Sequence, residues 1–240
     1  MKHVIFDRCL KIHLLILIWL TGSSLLFSQK NYYSPKYDDA QFWQNIYVET
    51  YLTHKLNIHI NEEGRITENI TRPSYIYADL GITYKFKKYL HFTLAYVPIA
   101  SRLQTDFISY RHQFYFDWVL KLKYKHFIFY YRQMTQSQYD DVNRKATWNI
   151  ASYYLRDKIT IKYKTPTNYI PYVATEIYYH ANYNQYNGTQ TDHARYYVGC
   201  FYKLNKVDVF ELYYLIEPYF HIPSPYTNYI IGIGYAHNLY

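Results

Sequence analysis

The chain is poor in the residues that staple or punctuate a small secreted fold. It has two cysteines in 240 residues, and Cys9 lies in an N-terminal leader. Cys200 then has no internal partner, which excludes a disulfide-stapled scaffold. Methionine also occurs twice and glycine only seven times. No glycine-rich phosphate loop is present. After residue 20, no apolar run approaches the roughly 18 residues that a membrane-spanning helix needs.

Catalytic and metal-binding spacings are missing as well. His54, His59, His91, His112, His126, His180, His193, His221 and His237 are scattered without ligand spacing, and no HExxH motif occurs. No metal and no cofactor are therefore expected. Ser109 and His112 are close in sequence, but an odd spacing sends their side chains to opposite faces of a strand. No nucleophile elbow is present. The chain is read as a non-enzyme, with a barrel-embedded lipid hydrolase as a minor alternative. The net charge of +8 is spread along the chain without a recognition motif, so nucleic acid is not an expected partner.

What the chain does have is a leader and aromatic rings. Lys2, Arg8 and Lys11 precede an apolar run from Leu14 to Leu20, and a small polar stretch leads to Ser28 and Gln29. This pattern predicts a secretory signal over residues 1–28. There are 35 tyrosines and 13 phenylalanines. Such rings suit strands, and they suit belts where an apolar body ends in a wet hydroxyl.

From residue 42 onward the side chains alternate with the period of a strand. Phe114, Phe116, Trp118, Leu120 and Leu122 face one way, while Gln113, Tyr115, Asp117 and Lys121 face the other. Phe210, Leu212, Tyr214 and Ile216 oppose Glu211, Tyr213 and Glu217; Tyr229, Ile231, Ile233 and Tyr235 then alternate with Asn228, Gly232 and Gly234. Asp157 falls on the apolar face of residues 149–164, where lipid exposure is costly, so a rim or a break is expected there. Pro98 is expected to end a strand, and residues 63–73 are expected to form a loop.

The fold class expected is mainly β, a single antiparallel transmembrane β-barrel over residues 42–240. The alternation marks eleven segments, and bacterial single-chain barrels have even strand numbers. Residues 29–41, either a lead or a first short strand, are taken to supply the twelfth; ten strands is the alternative count. Short turns near 54, 88, 124, 168 and 205 alternate with longer loops, as in a barrel with periplasmic turns.

The polar face then lines a lumen. It carries Glu49, Asp79, Asp117, Glu176, Glu211 and Glu217 against Lys85, Arg111, Arg132, Arg156, Lys158, Lys162 and Arg195. Inside a narrow barrel such groups must pair, because an unpaired charge loses its water. These thirteen residues are the candidate lumen charge network. A turn centred near Thr167 would set Lys162 opposite Tyr172 and Lys158 opposite Glu176, with Arg156 diagonal to it.

Several short elements, in their order and spacing, carry a resemblance. They are Phe42-Trp43, Asp79-Leu80-Gly81 with Tyr84, Arg111-His112, Tyr131-Arg132 and Tyr154-Leu155-Arg156-Asp157-Lys158. Pro171-Tyr172 with Glu176-Ile177-Tyr178, Arg195-Tyr196 with Gly199, and Gly232-Ile233-Gly234-Tyr235 complete the set. Over roughly residues 42–240 the chain resembles the DUF2490 family of outer-membrane β-barrel proteins from Bacteroidetes-like bacteria. The family pattern usually has further arginines where this chain has Gln133 and Gln136, and an amide where it has Asp157. The resemblance implies the outer membrane of a Gram-negative cell, with outer-membrane lipid and the barrel assembly machinery as partners. It implies no activity. The chain is read as an outer-membrane β-barrel of unassigned activity, with a passive small-solute channel as the first reading. The alternatives are a structural or surface-interaction barrel without transport and a soluble periplasmic β-protein.

Overall fold

The computed structural model describes residues 37–102, 107–139, 152–181, 191–220 and 224–239. The leader expected over residues 1–28 and most of the lead expected over 29–41 lie outside the described residues. The strands are β1 (Asp39–Tyr51), β2 (Leu56–Thr67), β3 (Arg72–Lys87), β4 (Leu90–Arg102), β5 (Ile108–Tyr124) and β6 (Phe127–Tyr139). They continue as β7 (Ser152–Tyr163), β8 (Tyr169–His180), β9 (Thr191–Lys203), β10 (Asp208–Tyr219) and β11 (Tyr226–Leu239). All consecutive strands pair antiparallel, and β1 closes on β11 into a barrel.

The described residues thus hold eleven strands rather than twelve. Direction reverses at every connection, so the first and eleventh strands point the same way and must close in parallel. They do so from Asp39↔Asn228 to Thr50↔Leu239. The other edge of β1 is taken by β2, from Phe42↔Ile66 to Tyr51↔Asn57. With both edges paired, the ladder has no place for an additional strand beside β1. Closure in this way also removes every exposed edge.

Connections at one end, the hairpin end, span residues 52–55, 88–89, 125–126, 164–168 and 204–207. At the other, the loop end, they span 68–71, 103–107, 140–151, 181–190 and 220–225. The expected loop over 63–73 is mostly strand, because Glu63 and Arg65 turn their polarity into the lumen rather than into solvent. Only a tight turn remains. In it Glu68, Asn69 and Ile70 have φ of 55°, 55° and 62°, a left-handed run that side chains with a Cβ disfavour. The Asp39 carboxylate accepts hydrogen bonds from the Glu68 N–H (3.1 Å) and the Asn69 N–H (2.7 Å) and holds the turn there.

Pro98 does not end β4, which runs on to Arg102. The β3–β4 ladder is interrupted between Tyr77↔Ile99 and Leu80↔Tyr96, where the proline has no N–H to give. Likewise, β7 is unbroken at Asp157, whose carboxylate accepts a hydrogen bond from the Tyr131 hydroxyl (2.6 Å) on the outer wall. The Trp118 indole N–H donates to Gln133 Oε1 (2.8 Å) beside it.

The alternation sorts the wall as the sequence implies. Ile60, Ile82, Leu94, Phe114, Leu122, Val173, Val198, Leu212 and Ile231 project outward and are exposed. The inner face is not purely polar. Trp43, Tyr172, Ala174, Tyr213, Leu215 and Ile230 pack as one buried cluster, and Ala95, Val97, Ile99, Tyr115 and Met134 as another. Inner glycines make room for these rings. The Tyr213 ring, opposite Gly232, occupies the space where a Cβ of Gly232 would stand; Tyr172 lies across Gly199 in the same way.

Candidate functional site

Among the described residues, the inward faces of the strands gather charge in the lumen. Toward the loop end every described carboxylate of the network is held by a positive or hydroxyl donor. Glu176, 1% exposed, accepts from Arg132 Nη2 (2.6 Å) and from Arg156 Nε (2.9 Å). Arg156 Nη1 also donates to Gln136 Oε1 (2.9 Å). Glu217 accepts from Arg195 Nε (2.6 Å) and from the Asn228 side-chain amide (2.9 Å). Arg65 Nε donates to Glu63 (2.7 Å), which also accepts from the Tyr77 hydroxyl (3.1 Å). Asp79 accepts from the Tyr115 hydroxyl (2.8 Å), and Arg111 Nη2 donates to Ser101 Oγ (3.0 Å).

The arginines are also stacked on rings. The Arg65 guanidinium lies 3.8 Å from the Trp43 ring centre and 4.4 Å from that of Tyr75. Arg195 lies 5.1 Å from Trp43 on one side and 4.9 Å from Tyr178 on the other, and Arg156 lies 4.3 Å from Tyr178. Tyr75, Arg65, Trp43, Arg195, Tyr178 and Arg156 therefore form one alternating ring–cation stack through six strands. Planar guanidinium suits this double duty, because it can stack and pair at once.

From the level of Lys158, opposite both Arg132 and Glu176 in the ladder, toward the hairpin end the pattern changes. The Lys158 ammonium sits 4.1 Å from the Tyr197 ring centre, and Lys162 sits 3.8 Å from Phe201 and 5.2 Å from Tyr130. Lys121 lies 5.3 Å from Tyr130, and Lys85 lies 4.1 Å from Tyr51. Among the described residues, none of these four lysines has an ion pair. The nearby carboxylates are bound to neutral donors instead. Glu211 accepts from the Tyr172 hydroxyl (2.5 Å), and Glu49 from the Tyr47 hydroxyl and the Asn57 side-chain amide (2.7 Å each).

The proposed register is the observed one: Lys162 faces Tyr172 and Lys158 faces Glu176. The pairing across it differs. Arg132 and Arg156 take Glu176, and Lys158 turns to a ring. Both guanidinium groups converge on Glu176 Oε1, and planar forks hold a carboxylate oxygen more firmly than one ammonium does, while Oε2 is buried without a hydrogen bond. Asp117 is buried, at 5% exposure, and Lys85 and Glu49 sit apart from the arginine network near the hairpin end. Trp43, Glu63, Arg65, Tyr75, Gln136 and Lys121 were not among the expected site residues. The alternation Asn61, Glu63, Arg65, which continues the inner face of β2, was the signal for two of them.

Among the described residues, three cavities follow one another along the lumen. The loop-end one, about 520 Å³, and the central one, about 440 Å³, share Trp43, Arg65, Tyr75 and Arg111 as walls. The central cavity and the hairpin-end one, about 440 Å³, share Asn45, Asn61 and Glu211. Of the expected residues, Asp79, Arg111, Arg132, Arg156, Lys158, Glu176, Arg195 and Glu211 line the central cavity. Glu217 lines the loop-end cavity and Lys162 the hairpin-end one. Among the described residues, no group of three or more His, Cys, Asp or Glu side chains could hold a metal ion.

No curated protein matches the chain. Among solved structures, a bacterial polysaccharide outer membrane secretin is similar at 7% identity and a TM-score of 0.46; the alignment covers 74% of this chain and 73% of that one. The model of a family described as "protein of unknown function (DUF2490)" matches residues 40–221, which reaches from β1 past the end of β10. Matched over most of its length, the chain belongs to the DUF2490 family.

Proposed function

We propose that the chain is an outer-membrane β-barrel whose lumen is a constricted path for small polar solutes, with no catalytic role. Its outer wall is what supports the membrane. Exposed Ile, Leu, Val, Phe and Tyr side chains project from strand after strand around the closed barrel. Water-soluble proteins rarely expose contiguous apolar patches beyond a few hundred Å². Such a wall suits a bilayer, with outer-membrane lipid as its solvent and the barrel assembly machinery as the means of insertion.

The observation that carries the path is the sequence of three cavities with shared walls. The ring–cation stack stands at the first shared wall as a constriction. The purified protein, reconstituted in planar bilayers, is expected to show small, discrete conductance steps. Silent bilayers containing folded protein would overturn the channel reading.

A second reading, a closed scaffold without transport, is favoured by the complete burial of Leu215 and Ile230 and by Glu176 and Glu217 at 1% exposure. In that case the stack and the ion pairs serve only to hold the wall together.

A further inference from the structure

We infer that the hairpin-end half of the lumen is a binding track for a small anion, a phosphate- or carboxylate-bearing solute, with Lys158 and Lys162 as its principal contacts and Lys121 and Lys85 beyond them. The inference deepens the channel reading by naming the class of solute, and its binding part can be judged without conductance.

The case rests on how the lumen's positive charge is answered. Six Arg and Lys side chains line the central cavity against four carboxylates. The arginines near the loop end are occupied by Glu176, Glu217, Glu63 and ring faces. Among the described residues Lys158 and Lys162 form no ion pair: each ammonium lies over ring faces, and Glu176 and Glu211 act on Lys158, and Glu211 on Lys162, only at longer range. The hairpin-end cavity carries Lys162 and Lys203 against Glu211 alone. One oxygen of Glu211 is engaged by the Tyr172 hydroxyl, a neutral donor. An ammonium removed from bulk water with no carboxylate in contact is unfavourable, and a ring face or a more distant carboxylate compensates only in part.

The sites are also arranged in series. Lys158 and Lys162 lie four residues apart on the inner face of β7, and Lys121 and Lys162 both approach Tyr130. Lysine suits such a track better than arginine, because its ammonium is a point charge on a flexible stem and can pass an anion on. Conduction favours several sites that each bind weakly, and basic side chains select anions.

The test uses the folded full chain in detergent and in planar bilayers, with inorganic phosphate as the probe. Wild type is expected to gain thermal stability with millimolar phosphate. Under a KCl gradient its reversal potential should report chloride preference, and phosphate should reduce the chloride current. In the Lys158→Gln/Lys162→Gln double variant the phosphate concentration for half effect should rise at least tenfold, and selectivity should move toward potassium. Lys158→Arg/Lys162→Arg should keep anion preference, and Lys88→Gln, on an exposed hairpin, should match wild type. Equal phosphate response in wild type and the double glutamine variant, or a wild type that prefers potassium, would overturn the track. Absence of current in wild type would overturn the channel reading instead. The phosphate titrations would then decide the binding site by themselves.

Discussion

The two ends of the lumen treat the same sign of charge differently. Toward the loop end, Arg132, Arg156 and Arg195 are fastened to Glu176 and Glu217, and the stack through Trp43 joins them into one body. From Lys158, which stands opposite Glu176 in the ladder, on toward the hairpin end, Lys158, Lys162, Lys121 and Lys85 rest on rings and make no ion pair among the described residues. An ion pair in contact holds a wall in place and leaves little charge for a solute. An ammonium over a ring is positioned and still available. The lesson is that the net charge of a lumen says little until each group's partner is known.

The largest expected effect breaks the fastened end. Arg156→Ala removes one of the two guanidinium partners of Glu176 and leaves a buried carboxylate short of charge. Denaturant unfolding in detergent should show a loss of about 3–5 kcal/mol, the usual result of breaking a buried pair from one side. A loss below about 1 kcal/mol would mean that water screens the pair and the two ends are alike.

A smaller effect sharpens the contrast between lumen and outer wall. Trp118 stands on the outer face of β5, with its indole N–H on Gln133. Trp118→Arg should lower refolding stability in lipid by about 2–4 kcal/mol if it lies near the bilayer midplane. A near-neutral result would show that this face does not meet hydrocarbon.

The smallest expected effect is at the available end. Lys158→Met removes an ammonium that holds no carboxylate and keeps a stem of similar length. Stability should change by no more than about 1 kcal/mol, since a ring contact is lost but a desolvated charge without an ion pair goes with it. A loss as large as that of Arg156→Ala would show that Lys158 is structural and would erase the distinction drawn between the ends.

Period-two alternation made much of this fold legible beforehand. In β5, Gln113, Tyr115 and Asp117 had to share a face opposite Phe114 and Phe116, because successive Cβ atoms leave opposite sides of a strand. The placement of Lys158 opposite Glu176 in the ladder was legible too, since a short turn between β7 and β8 leaves little freedom of register. Pattern misled where polarity was taken for solvent exposure: Glu63 and Arg65 looked like loop residues because a lumen hides polar groups as a core hides apolar ones.

What the sequence determined by itself is local: which residues form strands, which face each side chain takes, and so which charges enter the lumen. The number of strands in the closed ladder was not local. It depended on whether β1 meets β11 directly, a contact between Asp39 and Asn228 that no neighbouring residue encodes. The division of the charges was decided only in three dimensions as well. Arg132, Arg156 and Glu176 come from three strands, Trp43 and Arg195 from two others, and only barrel closure brings Trp43 beside Arg195. Faces follow from covalent geometry along the chain, but partners follow from shape and reach across it. Lysine and arginine carry the same charge in the sequence and separate only when each must find its neighbour.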